Sequence, residues 1–249
     1  MVGLGTLLNV VTILVGSALG VAFGHRLPER TSRTVTDAIG LVTLVIGGLN
    51  VIAVRDDAFV AAVGSGVTLL VVLVSLLIGG VAGSLFRLEQ RLESIGGWIQ
   101  LRAGGGGSAG RAKFIEGFVD ASLVFCIGPL AVLGALSDGR GRGIEQLALK
   151  STLDGFTSLA FAASLGWGVA ASAISVGVWQ GLVTVLAVFL GSLLPPALIA
   201  SITATGGVLL LGVGLRLLQV RAVPVGDLLP SLLVAPVITA VLMQVLPHR

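Results

Sequence analysis

The chain has 249 residues, 55% hydrophobic and only 11% charged, with mean hydropathy +1.07. That excludes an ordinary soluble domain, in which about a quarter of residues are charged. The net charge of +3 comes with no RNP motif, zinc-finger spacing or basic helix, so nucleic acid is not an expected partner.

Charges gather between long apolar runs, which makes the lipid bilayer the expected solvent. Short alternating segments are missing, so helices rather than a barrel should carry the chain across. The first run, 3–24, has no basic residues ahead of it and is expected to stay as a span instead of acting as a cleaved signal. It carries Asn9 one turn before Thr12, suited to a ligand role or to an interhelical hydrogen bond. Gly16, Gly20 and Gly24 form GxxxGxxxG, which predicts close helix packing.

The second run, 37–54, is expected to start at Asp37, and the third, 59–86, contains the Gly79/Gly83 pair. The loop 87–113 follows. It continues an amphipathic stretch from Leu85 that includes Trp98, and then reads "RAGGGGSAGRAK" (Arg102–Lys113), a flexible-linker composition. No GK[ST] follows the glycines, so this is not a phosphate loop.

The fourth run, 114–136, contains Gly128-Pro129. Proline removes a backbone donor and clashes with the preceding turn, so the helix should kink or break there. Asp120 and Ser122 lie just before that break, where freed carbonyls could line a pathway. Asp138, in "SDGRG", reads as a turn residue.

The fifth run, 150–171, opens with "LKSTLDGFTSLAF". Lys150 and Asp154 stand at i, i+4, and Ser151, Asp154 and Ser158 share an overlapping face. No other charge follows until Arg216. Two readings stand side by side. Lys150 snorkels to the surface while Asp154 favours the helix N-terminus; or both face inward as a solvated site, with Asp154 an ion or proton ligand and Lys150 its counter-charge.

Gly155–Leu194 is too long for one span, and "LGWGV" (Leu165–Val169) is the expected break. The sixth run, 173–194, carries Gln180 near its start, as a surface amide or a neutral ligand. Trp167 and Trp179 flank the turn, as interfacial anchors do. Runs seven and eight are 197–219 and 224–246.

Fold class follows: an all-α membrane protein of about eight transmembrane helices. With the N-terminus outside, cytoplasmic loops hold ten basic residues against five, so N-out is favoured. "GLVTLVIGGLN" (Gly40–Asn50) matches "GGVLLLGVGLR" (Gly206–Arg216), and looser matches link runs 1 and 3 to 6 and 8. An inverted repeat of spans 1–3 against 6–8 is expected, a common transporter plan. It would surround a central pair whose members share GF followed by SLxF: "GFVDASLVF" and "GFTSLAF". The chain then divides as one transmembrane domain, 1–249, with a first repeat unit 1–86, a cytoplasmic loop 87–113, a central pair 114–171 and a second unit 173–249.

Enzyme signatures such as HExxH and GxSxG are absent, and the two histidines, His25 and His248, lie in a loop and at the end. No enzyme activity, metal site or cofactor is expected. Cys126 is alone, so it forms no intrachain disulfide.

The segments "GLGTLLNVVTILVGSALGVAFG", "ASLVFCIGPLAVLGALSDG", "LALKSTLDGFTSLAF" and "VWQGLVTVLA" resemble the YqgA/YdfK-type family of prokaryotic inner-membrane proteins. The residues that carry the resemblance are Asn9, Asp138, Gly139, Lys150, Ser151, Asp154, Gly155, Gln180 and Gly181. It implies a multi-pass plasma-membrane protein with transport as the suggested function and no established substrate. The expected function is therefore a transporter or channel for a small ion or small polar solute. Its pathway residues would be Asn9, Asp120, Ser122, Lys150, Ser151, Asp154, Ser158 and Gln180, beside the Gly128-Pro129 break. The alternative is a structural or regulatory membrane protein. Small-residue faces are compatible with a homo-oligomer.

Overall fold

In the computed structural model, residues 2–24, 28–103, 108–190 and 195–245 are described, and regular structure among them is helical. His25, His248 and the glycines at 104–107 lie outside the described residues. The helices are α1 (Leu4–Gly24), α2 (Glu29–Val51), α3 (Asp57–Val63), α4 (Val67–Phe86), α5 (Leu88–Ala103) and α6 (Ser108–Cys126). There follow α7 (Pro129–Gly139), α8 (Glu145–Leu165), α9 (Gly168–Leu190), α10 (Pro196–Leu217), α11 (Val225–Leu228) and α12 (Ser231–Val245).

Six stretches of the described residues are long and apolar enough to cross a membrane: Leu4–Gly24, Arg30–Arg55, Val67–Phe86, Gly168–Val188, Pro196–Leu217 and Val225–Val245. A seventh arises if Gly110–Cys126 and Leu130–Gly139, bent by 63°, count as one span.

Both expected breaks are present. α6 ends at Cys126, Gly128 is extended (φ −156°, ψ 148°), and Pro129 opens α7, where its missing N–H has no helical bond to lose. α8 ends at Leu165, Gly166 takes φ 76°, and α9 starts at Gly168.

Several boundaries differ from the sequence expectation: α8 starts at Glu145 rather than 150 and α9 at Gly168 rather than 173, and two further differences are larger. Asp37 does not start a helix, because α2 already begins at Glu29. The run 59–86 is not one helix. Asp56 accepts hydrogen bonds from the Ala58 and Phe59 amides (3.0 and 3.2 Å) and starts the short α3; Gly64, at φ 94°, ends it before α4. An apolar run conceals such a stop because hydropathy does not register a positive φ, which glycine adopts freely.

The chain divides into two compact units, Met1–Leu41 with Arg91–Ser192, and Val42–Gln90 with Leu193–Arg249. In the first, α1 is polar inside and apolar outside. Asn9, Gly16, Ser17 and Gly20 are buried, while Leu7, Val11, Val15, Leu19 and Phe23 are exposed. That inversion suits lipid, which solvates apolar side chains, so helices associate through small residues and polar contacts. The GxxxGxxxG stripe does this directly. Gly16 abuts the Gly155 carbonyl, Gly20 that of Leu159 and Gly24 that of Ala163, locking α1 along α8. α6 packs against α8 and α9, and buries Phe118, Val119, Ala121, Leu123 and Phe125.

In the second unit, Gly79 and Gly83 of α4 lie against the backbone of Ser231 and Asp227, which fulfils the expectation for that pair. Glu89 pairs with Arg216 and accepts a hydrogen bond from the Gly226 amide at 2.6 Å. Asp227 accepts from the Glu89 amide at 2.9 Å. Neither Glu89 nor Asp227 stands out in the sequence, because each sits at the edge of an apolar run and looks like an ordinary interfacial charge.

Candidate functional site

α8 carries Lys150 and Asp154 inward, while Glu145 at its start is exposed. Leu149, Leu153 and Phe156 are exposed on its outer face, whereas Lys150, Ser151, Asp154 and Ser158 are buried. Lys150 is only 5% exposed and forms an ion pair with Asp154, itself 8% exposed. Snorkelling, the alternative for Lys150, is thereby overturned, because a snorkelling ammonium would reach the surface.

Two further helices complete the cluster. Asn9 of α1 and Gln180 of α9 are fully buried. The Asn9 amide donates to Asp154 Oδ2 at 3.0 Å and to Gln180 Oε1 at 3.2 Å. Gln180 is not a surface amide near the start of its span, because α9 begins at Gly168 and places it mid-helix. Asn9 Oδ1 and Gln180 Nε2 are buried without a hydrogen-bond partner among the described residues. Buried amide groups normally find partners, and an unmade bond costs about 1–3 kcal/mol. These two atoms are the open valences of the cluster.

The remaining predicted residues are placed less directly. Ser151 Oγ donates to the Leu147 carbonyl (2.6 Å) and Ser158 Oγ to that of Gly155 (2.9 Å), so both hydroxyls are spent on their own helix. Ser122 bonds Ser175 of α9 at 3.0 Å. Asp120 is fully buried on α6. Cys126, beside the Gly128-Pro129 break, falls within electrostatic reach of both Lys150 and Asp154. Trp167 is 56% exposed, as an anchor would be, whereas the ring N–H of Trp179 is buried. Among the described residues no group of His, Cys, Asp and Glu could hold a metal ion.

Asp138 is not simply a turn residue. It is buried, and its carboxylate accepts from the Gly3 and Gly5 amides (3.1 and 3.0 Å). It thus caps α1 from the end of α7, satisfying donors a helix start leaves open. The local "SDG" pattern conceals this because the partners are more than a hundred residues away. Asp138→Ala is expected to cost about 1–2 kcal/mol, read as a lower unfolding midpoint with faster amide exchange at Gly5. Thr6 and Thr184, whose hydroxyls meet at 3.5 Å, do not stand out in the sequence either. The available signal is that Thr6 lies three residues before Asn9, on the same face.

A family model described as "Protein of unknown function (DUF554)" matches residues 4–240. The chain belongs to the DUF554 family. It is 30% identical over 213 residues to the uncharacterized membrane protein YdfK of Bacillus subtilis, covering 85% of this chain and 84% of that one. It is equally 30% identical over 213 residues to the uncharacterized protein YqgA of Escherichia coli, covering 85% and 86%. No solved structure matches it. The resemblance inferred from the sequence therefore stands, and this DUF554 protein is a helical membrane protein. The family description assigns it no activity.

Proposed function

We propose that this DUF554 protein transports a small cation across the prokaryotic plasma membrane, with the Asn9–Lys150–Asp154–Gln180 cluster as its site. The observation that carries this reading is the buried Lys150 ammonium on Asp154, ringed by two amides with open valences. Intramembrane ionisable residues that face a protein interior usually serve an ion or proton pathway. Lys150 occupies the place a monovalent cation would take on the carboxylate. An arriving cation competes with the ammonium for Asp154, while Asn9 Oδ1 supplies a neutral ligand.

Eight membrane passes belong to this reading. Lys150, Asp154 and Glu145 lower the hydropathy of α8, yet the first two are buried and the outer face is Leu149, Leu153 and Phe156. The inverted repeat is supported by which helices touch. α1 packs on α9, α4 on α12, and Gly47 of α2 on Gly207 of α10, each a pair of expected repeat mates. Phe125 and Phe161, the closing residues of the two SLxF segments, pack with ring centroids 6.1 Å apart. The basic-residue count orients the N-terminus outward.

Flux in proteoliposomes tests the proposal. Sodium, potassium or proton movement is expected in the wild type and should fall at least tenfold in Asp154→Asn. Unchanged flux in a folded Asp154→Asn variant would overturn the role of Asp154. Absence of flux for every solute in a broad screen would favour a scaffold in which the same network only joins helices.

A further inference from the structure

A cavity of about 550 Å³ lies in the first unit, at the far end of α8 from the ion pair. Its volume falls in the range of small-molecule sites. From Asp154 to Leu165, which lines it, is roughly 16 Å along the helix, at 1.5 Å per residue. The walls are largely carbon: Ile99 of α5, Phe114 of α6, Leu165 of α8 and Ile174 of α9. Among the described lining residues Lys113 is the charged one, Gln100 adds an amide, and there is no carboxylate.

The surroundings have the character of a membrane interface. Trp167, at the rim on the α8–α9 turn, is 56% exposed. α5 shows Ile95, Trp98 and Leu101 to the outside, and Arg102 stacks over the Trp98 ring at 4.5 Å. Exposed aromatic and aliphatic residues beside basic ones mark a helix lying at headgroup depth. A soluble anion would have little use for four aliphatic and aromatic walls, and a neutral lipid little use for Lys113.

We propose that this cavity binds one membrane phospholipid with an anionic headgroup. Its phosphate would pair with Lys113 and its acyl chain would lie between Phe114, Leu165 and Ile174. Basic pockets between membrane helices recognise anionic lipids in this manner. The proposal is independent of the transport reading, since it uses none of the ion-pair cluster.

Native mass spectrometry of the detergent-solubilised protein tests it, with added phosphatidylglycerol, phosphatidylcholine or inorganic phosphate. The wild type is expected to retain one phosphatidylglycerol several-fold more readily than phosphatidylcholine. Lys113→Gln should abolish that preference while keeping some lipid, and Ala171→Phe, which fills the cavity, should lose both lipids. Arg55→Gln, a basic change in the other unit, should behave as wild type. Unfolding midpoints confirm that each variant is folded. Wild-type selectivity in Lys113→Gln, or full retention in Ala171→Phe, would overturn the proposal. So would displacement of the lipid by inorganic phosphate, which would make the site one for a free anion.

Discussion

Asp154→Ala is expected to lower folding stability by about 3–5 kcal/mol, because it strands the buried Lys150 ammonium without its counter-charge. Lys150→Met should be costly for the complementary reason. The double replacement Lys150→Met/Asp154→Leu should recover most of the loss, since exchanging a buried pair for apolar residues of similar size is often neutral or stabilising. Unfolding in mild detergent measures all three. The double variant also separates the two functional readings. A stable protein without flux supports a pair kept for transport, and a stable protein that still transports removes the pair from the pathway. The Asn9 amide should respond too. Without Asp154 it loses one of its two acceptors, so Asn9→Ala should cost less in the double variant than in the wild type.

The second large effect belongs to the glycine stripe. A methyl group at Gly20 would press on the Leu159 carbonyl and the Ala162 side chain. Backbone cannot yield as a flexible side chain can, so Gly20→Ala should cost about 1–3 kcal/mol and Gly20→Leu more. Gly48 of α2 has open space where its Cβ would be. Gly48→Ala should therefore be neutral, or stabilising by up to about 1 kcal/mol through helix propensity. Unfolding midpoints that fell equally in both would sink the idea that the stripe locks α1 to α8.

The Asp138 cap, the ion pair and the glycine stripe meet on the same two helices. α1 is held at its start by Asp138, along its length by α8, and between them by Asn9 on Asp154. Any motion that opened the Lys150–Asp154 pair to a ligand would therefore have to be absorbed where the helices end. The two candidates are the extended Gly128 before α7 and Gly166 with φ 76° between α8 and α9. Both breaks lie in the unit that holds the ion pair.

Composition determined the class of this protein. Apolar runs of bilayer length force helices, and Gly128-Pro129 and "LGWGV" marked two interior breaks from residues alone, whereas the stop at Gly64 stayed hidden among glycines that helices tolerate. The spacing of Lys150 and Asp154 put them on one face of α8, and the GxxxGxxxG spacing marked a packing face on α1. What the spacing could not say was which way those faces turn, because helical periodicity is the same for a face that looks at lipid and one that looks at protein. Only the packing of α1 and α9 against α8 settled it. That packing buried Lys150, brought Asn9 to Asp154 across 145 positions and Gln180 to Asn9 across 171, and gave Asp138 its partners on α1. A charge beside an apolar run reads alike whether it is wet or buried, and its cost is decided by partners that lie far along the chain.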